Sequence, residues 1–390
     1  MSDRVARVEA FSITIPRDVP YLGALREGEE PNARGYFVRR GNRTVYPTVD
    51  RTVLVRIETT SGAVGWGETY GIVAPRATMA LVTDLLADFV VGRDPLDAAV
   101  VHDDLYDLMR VRGYTGGYYL DALAAIDIAL WDLAGKLTGL PLVKLIGGQR
   151  RDTIPAYISG LPKPDRAERA DLAAQWQDRG FSAFKFASPV ADDGVAAELA
   201  GLRERLGPGA RIACDMHWTH TAEQAIALIR AMEPHGLWFA EAPVNPEDID
   251  GLAHVARSVS TTIAAGEEWR TVYDAVPRVA RRACGILQPE MGHKGVTEFM
   301  RIAGYAQAHH LEVIPHATIG IGIFLAASLH AAAAAAAVTA HEFQHSIFEP
   351  NRRFLVGDMA CESGAYTLPT GHGLGVEPSE EAIRILESRA

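Results

Sequence analysis

The chain has 390 residues, enough for two domains or for one large barrel with an accessory domain, and too many for a single small module. Hydrophobic residues make up 48% and charged residues 22%, a globular balance that excludes global disorder. The formal net charge of −11 has the wrong sign for a surface that lives on phosphate backbones or anionic lipid, so no nucleic acid and no membrane is expected as a partner.

The N-terminal run MSDRVARVEAF holds no apolar core of a signal peptide and reads as a first strand. Residues 5–15 and 52–59 show β-branched alternation, and a polar, Gly/Pro/Arg-rich segment, residues 21–46, lies between them. That segment is too long for a hairpin turn and reads as a lid, whose Arg26, Arg34, Arg39, Arg40 and Tyr36 suit closure over an anion. Next comes helix: Leu123, Ile126, Leu130, Leu133 and Leu137 recur at helical spacing until Gly139 and Pro141 end the run. Residues 1–125 thus read as an α+β unit. The glycines of RGYTGGYYL at 112–120 follow no strand and precede no Lys-Ser/Thr, so they carry no phosphate-binding loop.

From residue 150 short apolar strands alternate with amphipathic helices. The predicted strands are residues 154–159, 183–186, 211–215, 237–241, 262–267, 285–288, 311–315 and about 340–343, and eight such alternations indicate a (β/α) barrel of the α/β class. The alanine-rich residues 324–340 are too short to span a bilayer and read as a buried helix. Cys214, Cys284 and Cys361 are odd in number and never in a CxxC pattern, so no disulfide framework is indicated and a reducing, cytoplasmic compartment is expected.

Asp215, Glu241 and Glu267 each close a predicted strand, 26 residues apart in both intervals. That interval is one strand, one helix and two loops, so the three carboxylates should crown neighbouring strands, where barrel enzymes place their active sites. Converging carboxylates repel one another unless a cation neutralises them, and an all-oxygen set suits Mg2+ better than zinc. Glu290 and His316 follow the next two strands at the same 26-residue interval. A carboxylate beside an imidazole fixes its tautomer, which a general base needs. Lys185 ends the second strand, and His217, two residues past Asp215, shares its face if the strand continues. Either can act as an acid or a charge clamp.

The run ALAAIDIALWDLAGKLTGLPL at 122–142, the Asp–Glu–Glu set and HATIGIG after the seventh strand resemble the enolase superfamily, in its mandelate racemase-like subgroup. The resemblance covers nearly the whole chain. It implies a (β/α)7β modified TIM barrel at 126–358 under an α+β capping domain at 1–125, with 21–46 as specificity loop and 359–390 returning to the cap. It also implies Mg2+ on Asp215, Glu241 and Glu267, and a homo-oligomer.

Departures from the family pattern narrow the reaction. Where relatives carry a second lysine at the end of strand two, this chain has Ala187, which removes one base of a two-base racemase. The Asp-x-His of Asp215 and His217 resembles the galactonate dehydratase type, in which that histidine protonates the departing hydroxyl. The dyad partner of His316 is Glu290 rather than aspartate, Ala242 follows the middle ligand, and Glu268 should point away from the metal. At strand eight Glu342 is the candidate partner of an enediolate oxygen, with Gln344 competing.

These residues imply a Mg2+-dependent dehydratase of an aldonate or aldarate: His316 as base, Glu290 its partner, His217 as acid, Lys185 and Glu342 at the developing charge. The small-molecule partner is a sugar acid. A cycloisomerase, racemase or epimerase on the same enediolate is the nearest alternative. A non-catalytic binding or structural barrel is the remote one.

Overall fold

The computed structural model describes residues 3–20, 23–316 and 320–388. Strand β1 (Val5–Ile15) runs antiparallel to β4 (Asp50–Thr59), which pairs with β5 (Val64–Tyr70), and the C-terminal strand Glu387–Ser388 joins the free side of β1. The helix Gly117–Thr138 lies on this sheet, running unbroken through residue 125. It comes so close that a Cβ on Gly67 would stand 1.8 Å from the Ala125 carbonyl oxygen, which is why β5 carries glycine there. The helix stops at Gly139, whose φ of 69° supplies the left-handed cap.

Between β1 and β4 lies the segment read as a lid, and it has regular structure of its own. It contains a hairpin, β2 (Tyr36–Arg39) and β3 (Thr44–Pro47), paired from Tyr36↔Pro47 to Arg39↔Thr44. The four-residue alternation of each strand is hidden among arginines, and each strand is too short to stand out by periodicity. Tyr21 and Leu22 of the predicted lid lie outside the described residues.

Among the described residues the barrel has eight parallel strands: β6 (Thr153–Ser159), β7 (Ala183–Ala187), β8 (Arg211–Asp215), β9 (Leu237–Glu241), β10 (Thr262–Ala265), β11 (Ile286–Leu287), β12 (Glu312–Val313) and β13 (His341–Phe343). It closes through β13 on β6, with Glu342 opposite Tyr157, and through a bridge from Val313 to Val338. One interior level is formed by Tyr157, Ala183, Ala213, Phe239, Ala264, Ile286, Ile314 and Ala340, all buried and in mutual contact. Two aromatic rings, meeting edge-on at 6.1 Å, fill the space that the alanines leave.

A strand repeats its facing every two residues. The next level toward the C-terminal ends is therefore Ser159, Lys185, Asp215, Glu241, Gly266, Gln288, His316 and Glu342. An apolar ring is succeeded by a polar one, and the polar ring is where the predicted site residues collect.

Two buried carboxylates bind the cap to the barrel. Glu68 of β5 accepts from the backbone N–H of Ile321 (2.6 Å), Ile323 (2.8 Å) and Phe324 (3.2 Å), so a carboxyl group caps the N-terminus of the helix Ile323–Ala334. Asp132 accepts from Trp66 N–H in β5 and Leu374 N–H in the C-terminal segment, each at 2.9 Å. The alanine run is helical only to Ala334. Ala335 is extended because the chain must turn there to reach Val338 and close the barrel. Ala317, Thr318 and Ile319 of the HATIGIG run lie outside the described residues. No described helix is long and apolar enough to cross a membrane, and the three cysteines are free and buried.

Candidate active site

Parallel register sets Ala187 beside Asp215 and Asp215 beside Glu241. Glu267 follows Gly266, whose φ of 132° is open to glycine alone; a Cβ there would also press on the Gln288 backbone nitrogen at 3.1 Å. His217 has left the strand: it and Trp218 have φ of 53° and 54°, and Ala242 past β9 has 48°. Strand alternation is thus not what brings His217 to Asp215. The left-handed turn does, with His217 N–H donating to Asp215 Oδ1 at 2.9 Å and the ring Nε2 3.0 Å from Oδ2. Such backbone strain, costing about 1–3 kcal/mol per residue, gathers at functional sites.

Each predicted ligand meets its own cationic neighbour. Asp215 meets His217; Glu267 Oε2 lies 2.9 Å from His316 Nε2; Lys185 Nζ donates to both oxygens of Glu241 at 2.8 Å. Glu241, Glu267 and His316 bring ligand atoms within 4.8 Å of one another, while Asp215 is turned to His217. Lys185 also lies 2.9 Å from Glu342, so Glu342 stands inside the ring, and Gln344 lines the same cavity. Glu241, Glu267 and Glu268 are not among its lining residues.

The base pair predicted from spacing is in contact. His316 Nδ1 is 2.8 Å from Glu290 Oε2, and Glu290 is completely buried. Glu290 is held in turn by Gly292 N–H and by the Tyr70 hydroxyl, each at 3.0 Å. Tyr70, which reaches down from the cap and stacks on His293 at 4.1 Å, was missed by sequence reasoning. So was Gln288, whose Nε2 donates to Glu241 Oε2 at 2.7 Å, although its place two residues after the inward Ile286 marks it.

The lid arginines do not reach the cavity. Arg39 is buried on Glu29 at 2.8 Å, Arg26 meets Asp192 at 3.0 Å, Arg34 and Arg40 are exposed, and the Tyr36 hydroxyl accepts from Ala74 N–H. Of these arginines Arg39 is paired within the loop itself, Arg26 with the loop that follows β7, and Arg34 and Arg40 face solvent. The hairpin tip instead brings Asn42, whose Oδ1 accepts from Thr44 N–H and whose Nδ2 lies 3.4 Å from His217 Nδ1.

Burial favours neutral forms throughout, yet the charges override it selectively. Burial would lower His316, but Glu267 and Glu342 raise it well above the ordinary histidine range. His217 is likewise raised against burial by Asp215. Asp215 falls below the ordinary range through His217, whereas Glu241 rises to about 8, by burial first and then by the neighbouring carboxylates. Five carboxylates (Asp215, Glu241, Glu267, Glu290, Glu342) face three groups able to be cationic (Lys185, His217, His316), a surplus of two negative charges when all are ionised. Beside Glu241 the Gln288 Oε1 is buried with no hydrogen-bond partner among the described residues. The carboxylate oxygens of the three predicted ligands, a double negative surplus and an orphaned amide oxygen fit a hard divalent cation, and the His316 nitrogen lies within the same cluster.

Comparison with known proteins identifies the family. Residues 42–147 match the mandelate racemase / muconate lactonizing enzyme N-terminal domain, and residues 168–382 match the enolase C-terminal domain-like family. A D-galactarolactone cycloisomerase of Agrobacterium fabrum is 33% identical over 85% of this chain and 90% of its own. A D-galactonate dehydratase of Ralstonia nicotianae is 33% identical over 89% of this chain and 94% of its own. A solved Sinorhizobium meliloti structure, whose isomerase name is provisional, is 74% identical with a TM-score of 0.98, covering 99% of this chain and all (100%) of its own. The two matched domains, cap and barrel, place this chain in the enolase superfamily, within the mandelate racemase / muconate lactonizing enzyme group.

Proposed function

We propose that the protein is a Mg2+-dependent dehydratase of a sugar acid, converting an aldonate or aldarate to a 2-keto-3-deoxy acid. The observation that carries the reading is the pair of histidines in unlike settings on one cavity: His316 on Glu290 and His217 on Asp215, with only the methyl of Ala187 where a second base would stand.

Asp215, Glu241 and Glu267 would hold the ion, and their collective charge and oxygen donors suit it. Bound there, it would supply Lewis-acid stabilisation as negative charge builds on the substrate carboxylate. His316 acts through Nε2, because Nδ1 is engaged by Glu290. In its neutral form it would take the α-proton, and Glu290 would stabilise the resulting imidazolium. Lys185, held between Glu241 and Glu342, keeps its proton and offsets the charge of the enediolate. His217, raised by Asp215 against burial, is the group placed to give its proton to the departing β-hydroxyl. The same two groups would also serve a cycloisomerase, with His217 protonating a ring oxygen; the 33% identity to a galactarolactone cycloisomerase favours that as the second reading. Free, buried cysteines support a reducing cytoplasmic setting, and a homo-oligomer belongs to the same reading.

The test is incubation with Mg2+ and a panel of aldonates, aldarates and their lactones, read by mass spectrometry. Loss of water with appearance of a 2-keto acid is expected, and chelation should abolish it. A product of unchanged mass would replace dehydration with isomerisation.

A further inference from the structure

The cavity, about 190 Å³, is lined from the barrel by Lys185, Asp215, His217, His316 and Glu342 and from the cap by Arg17, Val19 and Pro20. Lys185 and Arg17 are its only lysine or arginine among the described residues. The ammonium of Lys185 is committed to Glu241 and Glu342. Arg17 is differently placed. Its Nη1 donates to both oxygens of Asp50, at 3.0 Å each, and its Nε donates to the Val19 carbonyl at 3.1 Å. These bonds fix the guanidinium plane and are made by Nε and Nη1, with none from Nη2 among the described residues.

A rigid guanidinium with an unused donor edge suits a carboxylate. With the ion bound and Lys185 paired to Glu241 and Glu342, the polar ring would keep no cation beyond those that serve the first carboxylate, so it cannot also take a second. The cap side, where Arg17 is, can. We infer that Arg17 binds the far carboxylate of a dicarboxylate sugar acid, so that the ligand class is the aldarates rather than the aldonates. This rests on the reading of the site as one for sugar acids.

The test is calorimetric binding in Mg2+ of matched pairs (galactarate and galactonate, glucarate and gluconate, xylarate and xylonate) to the His316→Asn protein, which holds its ligand unconverted. At least one aldarate should bind about 10- to 100-fold more tightly than its aldonate, the range of a hydrogen bond to a charged group. Adding Arg17→Gln should bring that ratio close to one. Arg17→Lys, which keeps a cation beside Asp50, should retain part of it and guards against a folding defect. Aldonates binding as well as aldarates, or a preference that survives Arg17→Gln, overturns the assignment. Turnover is read separately on the unsubstituted enzyme. A diacid preference without any conversion would remove the catalytic reading and leave Arg17 its role, and binding of neither class would remove both.

Discussion

Two neighbouring levels of one barrel differ in almost everything except their backbone. The inner level, from Tyr157 round to Ala340, is apolar and filled by two aromatic rings among small side chains. The level two residues along, from Ser159 round to Glu342, holds Lys185, Asp215, Glu241, Gln288 and His316. The first gains from dispersion and from water excluded. The second gathers charges that burial disfavours and that survive only by pairing. The pleat lets one set of strands serve both, and the packed level gives the charged one a floor that does not move.

The largest expected effect separates these roles by activity. His316→Asn should lower conversion and solvent-deuterium incorporation at the α-carbon by about 10²–10⁴-fold, the usual contribution of a general base. Its thermal midpoint should stay close to that of the parent. Undiminished exchange would remove His316 from the base role, and an unfolded variant would show that the polar level is structural.

On the apolar level the effect should appear in stability. Phe239 is completely buried, and it meets Trp238 at 4.7 Å and Tyr157 at 6.1 Å. Phe239→Ala should cost about 3–5 kcal/mol in urea unfolding, for lost transfer energy and the cavity left behind. The molecules still folded should keep their turnover. A cost below about 1 kcal/mol would mean that the level collapses on itself and supplies no rigid floor.

What could be read from the chain divides along the same line. Strand ends, the 26-residue interval and the contact of Glu290 with His316 were legible, because each depends on the local repeat of a barrel. Gln288 was equally legible from Ile286 by the same repeat, and was overlooked. Contacts that cross from cap to barrel were not. Tyr70 meets a carboxylate 220 residues away, and Asn42 a histidine 175 residues away, with no local pattern to announce either. The lid arginines misled for a related reason: composition shows that cations are present, but which of them the loop neutralises is decided by its fold. Arg39 is paired with Glu29, while Arg17, just past β1, reached the cavity.

Outside the polar level the same residue type behaves in the opposite way, which gives the smallest of the expected effects. His330, in the helix Ile323–Ala334, is fully buried, and its Nε2–H donates to the Leu374 carbonyl at 3.1 Å. Its Nδ1 has no hydrogen-bond partner among the described residues. A proton there would be buried without an acceptor, so burial pushes this imidazole down to about 4, where carboxylates push His217 and His316 up. Above the ordinary value of 6.5 both folded and unfolded states are neutral, and the group contributes nothing to pH dependence. As pH falls from 6.5 to about 4 the unfolded chain takes the proton first, so stability drops by about 3 kcal/mol in total and then levels off. His330→Gln keeps a donor for Leu374 and cannot titrate. Urea unfolding of both proteins across this window should show the variant's acid slope flatter by one proton, whereas an unchanged slope would mean that His330 takes its proton as readily folded as unfolded.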